Sequence, residues 1–147
     1  MLLRSTLRGF VAGLVLAAAI AAPQAARADI SVDAGGFATN GSGSFGGALS
    51  AGIFKIPLTP ISTEITGAAP FGAGGGYAAT FDVRAGLFGT TLGAGAGIGT
   101  IGNKSTTGAI FDGIIAQSIA PHLSLEAREY LGANRRSSFF GGLRLTL

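Results

Sequence analysis

The sequence predicts an all-β fold: an eight-stranded antiparallel up-and-down transmembrane β-barrel behind a cleaved signal peptide. Three observations carry this expectation. Residues 1–28 have the layout of an export signal. After them, apolar residues recur with period two in eight segments, each close to the roughly 9–11 residues of a tilted membrane strand. The connections between segments alternate between tight and longer, the rhythm of a barrel whose two rims differ.

In "MLLRSTLRGFVAGLVLAAAIAAPQAARA", Arg4 and Arg8 form the positive start and Phe10 to Ala22 the apolar run. Ala26-Arg27-Ala28 is a small-x-small site, which places cleavage before Asp29. The run is broken at Pro23 and falls short of the roughly 20 residues of a helical anchor. The expected organisation is therefore a signal peptide over 1–28, read by the Sec route, and one barrel domain over 29–147. Of the ten Lys and Arg, Arg4, Arg8 and Arg27 leave with the signal while all seven acidic residues stay, so seven face seven. The formal charge of +3 belongs to the export segment and gives no argument for nucleic-acid binding. Cysteine is absent, which excludes disulfides and thiolate metal sites.

The segments are 30–38, 45–56, 61–69, 77–87, 91–101, 109–119, 122–131 and 138–147. The 26 glycines raise low-complexity disorder as a competing reading, but disorder has no reason to keep Ile, Leu, Phe and Val in register. The first segment puts Asp33 on its polar face, and the second is a glycine-rich run of strand length. In the third, "ISTEITGAA", Ile61, Thr63 and Ile65 oppose Ser62, Glu64 and Thr66. The fourth, "YAATFDVRAGL", is the clearest: Tyr77, Ala79, Phe81, Val83, Ala85 and Leu87 oppose Ala78, Thr80, Asp82, Arg84 and Gly86. In the fifth, "TLGAGAGIGTI", Gly93, Gly95, Gly97 and Gly99 share a face. Glycine there relieves crowding or permits the bend that closure demands. A phosphate-cradling loop would need a following helix or GK[ST], and neither is present. The sixth, "AIFDGIIAQSI", alternates poorly, so its register is open. The seventh, "HLSLEAREYL", sets Leu123, Leu125, Ala127 and Leu131 against His122, Ser124, Glu126, Arg128 and Tyr130. The eighth places Phe139, Gly141, Leu143, Leu145 and Leu147 opposite Ser138, Phe140, Gly142, Arg144 and Thr146. The connections "PLTP", "FGT" and "AP" read as tight, and "TNGSGS", "PFGAGGG", "GNKSTTG" and "GANRRSS" as longer.

Charge density decides which face meets oil. The polar faces carry only Asp33, Glu64, Asp82, Arg84, Asp112, Glu126, Arg128 and Arg144, too few for a soluble exterior whose remainder is Ala and Gly. Turned inward, the same residues form opposite-charge pairs away from lipid. A charge network of Asp82, Arg84, Glu126, Arg128 and Arg144 is expected in the lumen, because narrow interiors hold charges only as pairs. Glu129 departs from the pattern.

"HLSLEAREYLG", a polar loop and "FFGGLRLTL" resemble the last hairpin of small outer-membrane β-barrels of the OmpA/OmpX-like superfamily, and "LGAGAGIGT" is similar to its "GAGxGxxY" strand. The resemblance implies a porin-family type of barrel in the outer membrane of a Gram-negative-type bacterium. It also implies a closing strand, with Gly142, Leu143, Leu145 and Leu147, that the barrel-assembly machinery reads. The family prefers Phe as the final residue, where this chain has Leu147.

His122, Ser124 and Glu126 are weak catalytic candidates for acyl transfer, with His as base and Glu orienting it. "His122-Leu-Ser124" resembles a fragment of the outer-membrane lipid A deacylases, although their Asn-Ala-Gly is replaced by Leu125-Glu126-Ala127. Side chains two apart on a strand lie about 6.5–7 Å apart, too far for a direct relay. One His and scattered carboxylates offer no metal-ligand spacing, so neither metal nor cofactor is expected. Arg135 and Arg136 are candidates for contact with anionic lipid, including lipopolysaccharide phosphates, beside the commoner reading of a solvated charge pair in a loop. The expectation is a monomeric barrel with a structural or surface-interaction role and a plugged, non-conducting lumen. The alternatives are a lipid-modifying enzyme and a soluble, lipocalin-like periplasmic carrier.

Overall fold

The computed structural model describes residues 29–39, 41–71, 76–101, 106–133 and 136–147. The export segment and Arg135 therefore lie outside the described residues. Eight strands follow one another in order: β1 (Ile30–Thr39), β2 (Ser42–Lys55), β3 (Ile61–Phe71), β4 (Ala78–Leu87), β5 (Thr90–Gly99), β6 (Gly108–Ala120), β7 (Leu123–Gly132) and β8 (Ser137–Thr146). Each pairs antiparallel with its sequence neighbours, and β1 pairs with β8 from Ser31↔Thr146 to Thr39↔Ser138, closing the barrel.

Side chains alternate strictly across the wall, because a strand has period two. On β4, Ala78, Thr80, Asp82 and Arg84 are buried while Phe81, Val83 and Leu87 are exposed. β6 resolves the register left open above. Ile110, Asp112, Ile114 and Ala116 face inward, and Phe111, Gly113, Ile115 and Gln117 face outward. Bulges fall between Gly52 and Phe54 and between Ser118 and Ala120. The first lets the neighbours Ile53 and Phe54 both stand exposed.

Both ends of the barrel chain lie at the rim of the β2–β3, β4–β5 and β6–β7 connections, called here the turn rim. The β4–β5 hairpin turns on Phe88 and Gly89, both at positive φ (51° and 82°), as a two-residue type I′ turn requires. β6–β7 turns on Pro121 and His122, the latter at φ 63°. His122 is thus a turn residue and not the first residue of the seventh strand. At the opposite, loop rim, "TNGSGS" is no extended loop. β1 runs to Thr39 and β2 starts at Ser42, with Gly41 at φ 80°. Thr39 pairs with Ser42, so the ladder runs on through residues that sequence assigned to a longer connection.

The glycine face of β5 has a definite cause. A Cβ on Gly93, Gly95 or Gly97 would meet, in turn, the backbone oxygens of Val83, Phe81 and Ala79 on β4, and one on Gly99 that of Tyr77 just before β4. The inner face of β5 is folded hard onto its neighbour, and only glycine permits that approach.

Candidate functional site: the barrel interior

The interior has two storeys. Toward the loop rim it is apolar: Phe37, Ala68, Ala78, Ile101, Ile110, Tyr130 and Phe140 form one cluster. The rings of Phe37 and Phe140 are tilted with centroids 4.9 Å apart, and Phe37 stacks on Tyr130 at 6.2 Å. Aromatic pairs at such separations add attraction beyond burial. The Arg128 guanidinium lies 5.7 Å from the Tyr130 ring centroid and joins this storey to the next.

The second storey is ionic. Arg84 on β4 reaches across to Glu126 on β7 with two parallel bonds, Nη1 to Oε2 at 2.8 Å and Nη2 to Oε1 at 3.1 Å. Its Nε stands 2.7 Å from Glu64 Oε1. Arg144 on β8 donates to Glu64 Oε2 at 2.6 Å and Glu126 Oε2 at 3.2 Å, and lies 3.6 Å from Asp33 Oδ2. Arg128 donates to Asp82 Oδ2 at 2.9 Å, Asp112 Oδ2 at 2.8 Å and Glu126 Oε1 at 3.1 Å. Thr66 Oγ1 donates to Asp82 Oδ2 at 2.7 Å, and Ser50 bonds to Thr66 at 3.0 Å. Charge-assisted and bidentate bonds of this kind fix geometry as well as energy. The structure thus brings Asp82, Arg84, Glu126, Arg128 and Arg144 together. Sequence reasoning left Asp33, Glu64 and Asp112 out of that set, although each is an inward charge at a strand position of the same parity.

His122, Ser124 and Glu126 do not form a relay. His122 is exposed in the turn, and both Glu126 oxygens are taken by arginines. Gly142 faces inward, where a Cβ would meet the Ala34 carbonyl oxygen, while Leu143, Leu145 and Leu147 stand exposed on the outside. Leu147 N donates to Ile30 O at 2.8 Å, tying the end of the chain to β1. Arg136 sits half-buried in the β7–β8 connection, its carbonyl accepting from Gly132 N at 3.0 Å.

The outer wall is the reverse of the interior. Val32, Ile65, Phe81, Leu92, Ile98, Phe111, Ile115, Leu125, Phe139 and Leu143 are all exposed on it. Glu129 is an exception, facing outward between Gly113 and Phe139 near the Gly132 end of β7. A soluble carrier barrel calls for the opposite polarity, so the lipocalin-like alternative is not supported.

Fold and polarity together define a class: the small closed eight-stranded barrel with an apolar coat and an ionic interior. No protein-family model matches the chain, and no curated protein matches it in sequence. Among solved structures, the fold is similar to the Yersinia pestis outer membrane protein Ail in a phospholipid bilayer nanodisc. That match has TM-score 0.56 and 11% identity and covers 82% of this chain and all (100%) of the other. It is also similar to Neisserial surface protein A (NspA), at TM-score 0.53 and 14% identity, covering 82% and 96% of the two chains.

Proposed function

We propose that the protein is an outer-membrane β-barrel of a Gram-negative-type bacterium, with a structural or surface-interaction role and a lumen that does not conduct. The observation that carries this reading is the inversion of polarity across a closed wall. In water, that continuous apolar coat would exceed what monomeric soluble proteins expose. In a bilayer it is the required surface, and closure leaves no unpaired edge in hydrocarbon. The two similar solved proteins are, by name, an outer membrane protein and a surface protein. An eight-stranded interior is only wide enough for side chains, and here three arginines tie its walls together. In this reading the barrel acts as a monomer. Arg136, at the loop rim, and Arg135, its neighbour in sequence, meet lipopolysaccharide phosphates, and Gly142, Leu143, Leu145 and Leu147 are read by the barrel-assembly machinery.

Membrane fractionation with a heat-modifiability gel tests the location. The folded chain is expected in the outer-membrane fraction, with different mobility before and after boiling. A soluble species of unchanged mobility would end the membrane reading. Planar-bilayer recording tests the lumen, and a large, steady conductance would show an open pore.

A further inference from the structure

Two carboxylates meet across a missing side chain. Asp82 on β4 and Asp112 on β6 are both register partners of Gly95 on the intervening β5. Because Gly95 has no Cβ, the two side chains lean over it, and Oδ1 of each lies against the single point that a Cβ would occupy. On their other edge the carboxylates share one donor, Arg128 Nη1, at 2.9 Å and 2.8 Å from the two Oδ2 atoms. On the Gly95 edge no hydrogen-bond donor among the described residues holds them. Both Oδ1 atoms are buried without a hydrogen-bond partner, and so is Thr80 Oγ1, two residues before Asp82 on the same face. The side chains concerned are almost wholly enclosed: Asp82 is 0%, Thr80 3% and Asp112 6% exposed. Like charges brought edge to edge inside a protein, with bare oxygens converging, are relieved either by a proton held on one of them or by a cation between them.

The charge inventory gives the same answer. Among the described residues, the buried charged side chains are five carboxylates (Asp33, Glu64, Asp82, Asp112, Glu126) and three guanidiniums (Arg84, Arg128, Arg144), an excess of five less three, or two negative charges. The unpartnered oxygens mark where the excess resides, at the Asp82–Asp112 edge and at Asp33. Glu64 and Glu126 are fully engaged.

We propose that the Asp82–Asp112 edge over Gly95 is a cation site for a hard, oxygen-seeking divalent ion of the Ca²⁺/Mg²⁺ class. Asp82 Oδ1 and Asp112 Oδ1 are its charged ligands, and the Thr80 hydroxyl is a neutral one. All three donors are oxygens, which hard cations prefer, and one divalent ion equals in number the two excess negative charges, although it meets them only at the Asp82–Asp112 edge. A shared proton would satisfy the two Oδ1 atoms but leave Thr80 and the second excess charge unanswered. Arg128 does not compete, because it approaches from the Oδ2 edge. The aromatic cluster closes one side of the site and the Arg84–Glu64–Arg144 lattice the other. The ion therefore enters as the barrel closes and exchanges slowly.

The test is to refold the full chain in detergent from a chelator-treated denatured state, with CaCl₂ or MgCl₂ added. After gel filtration in metal-free buffer, the metal is measured by plasma mass spectrometry. Retention of about one ion per chain is expected, with a higher unfolding midpoint than in chelator, since metal binding and folding are coupled. Asp112→Asn should lose the ion, and Glu129→Gln, on the outer wall, should keep it. Wild-type protein that retains neither ion overturns the proposal, whatever the variant does. So does Asp112→Asn retaining as much metal as wild type. A midpoint that follows pH but ignores both ions would also overturn it, in favour of a shared proton.

Discussion

Replacing Arg128 by Met removes the most buried cation of the interior while keeping much of its volume. Arg128 is 1% exposed and donates to Asp82, Asp112 and Glu126. At an effective dielectric of about 20, each of those three attractions is worth about 4 kcal/mol at 4 Å separation. Against their loss stands the desolvation of the guanidinium, several kcal/mol, which the variant no longer incurs. Repulsion from Arg84 and Arg144, which share Glu126, is relieved as well. The net expected loss is about 3–5 kcal/mol, the usual consequence of stranding buried partners. Urea unfolding of the refolded barrel reads it directly. Trp is absent, so far-UV circular dichroism and the folded-to-unfolded gel shift serve as probes. With a slope near 2 kcal/mol/M, the midpoint should fall by about 2 M. Adding Asp82→Asn and Asp112→Asn should recover part of the loss, because the three positions are coupled. A midpoint for Arg128→Met indistinguishable from wild type would refute the claim that these pairs hold the wall together.

Three further outcomes are expected. Val83→Arg, mid-strand on the outer wall, should cost about 2–4 kcal/mol in lipid vesicles, and Leu87→Arg, at the turn end of the same strand, about 0–1 kcal/mol. Equal costs would mean that this wall does not sit in hydrocarbon. Gly97→Ala should destabilise by about 1–3 kcal/mol or more, because its Cβ would strike the Ala79 carbonyl oxygen and lie 2.7 Å from Thr80 Cα. Gly113→Ala, with nothing within 4 Å of its Cβ, should change stability by less than about 0.5 kcal/mol in the same unfolding assay. Leu147→Asp should leave periplasmic degradation products in place of folded barrel on a fractionation blot. It puts a charge on the apolar wall beside the bond that ties Leu147 to β1.

The strands were legible where the two faces differ in chemistry. On β3, β4, β7 and β8, charged or hydroxyl residues alternate with Ile, Leu, Phe and Val, and the wall follows that alternation. β6 was illegible because its inner face meets two environments. Ile110 joins the aromatic storey and Asp112 the ionic one, while Phe111 and Ile115 face outward, so apolar residues occupy both faces. The membership of the ion network could be read from parity, but its pairings could not. Arg84 meets Glu126, 42 residues away and three strands round the wall, because the strands tilt and the lumen is narrow. The Asp82–Asp112 meeting was hidden for a similar reason: it depends on the side chain that Gly95 lacks. The left-handed backbone at His122 follows from the turn after Pro121, which residue type alone signals weakly.

The ladder between β1 and β8 joins Ser31 to Thr146, so the barrel's most distant segments are each other's neighbours. Its seven other strand pairings join consecutive strands and can form in sequence order as the chain is made. Closure cannot. Until β8 has emerged, the chain is an open sheet with two bare edges, prone to pair with any other strand it meets. The slow step in maturation is therefore set by topology: a loop spanning nearly the whole domain must close before the seam forms.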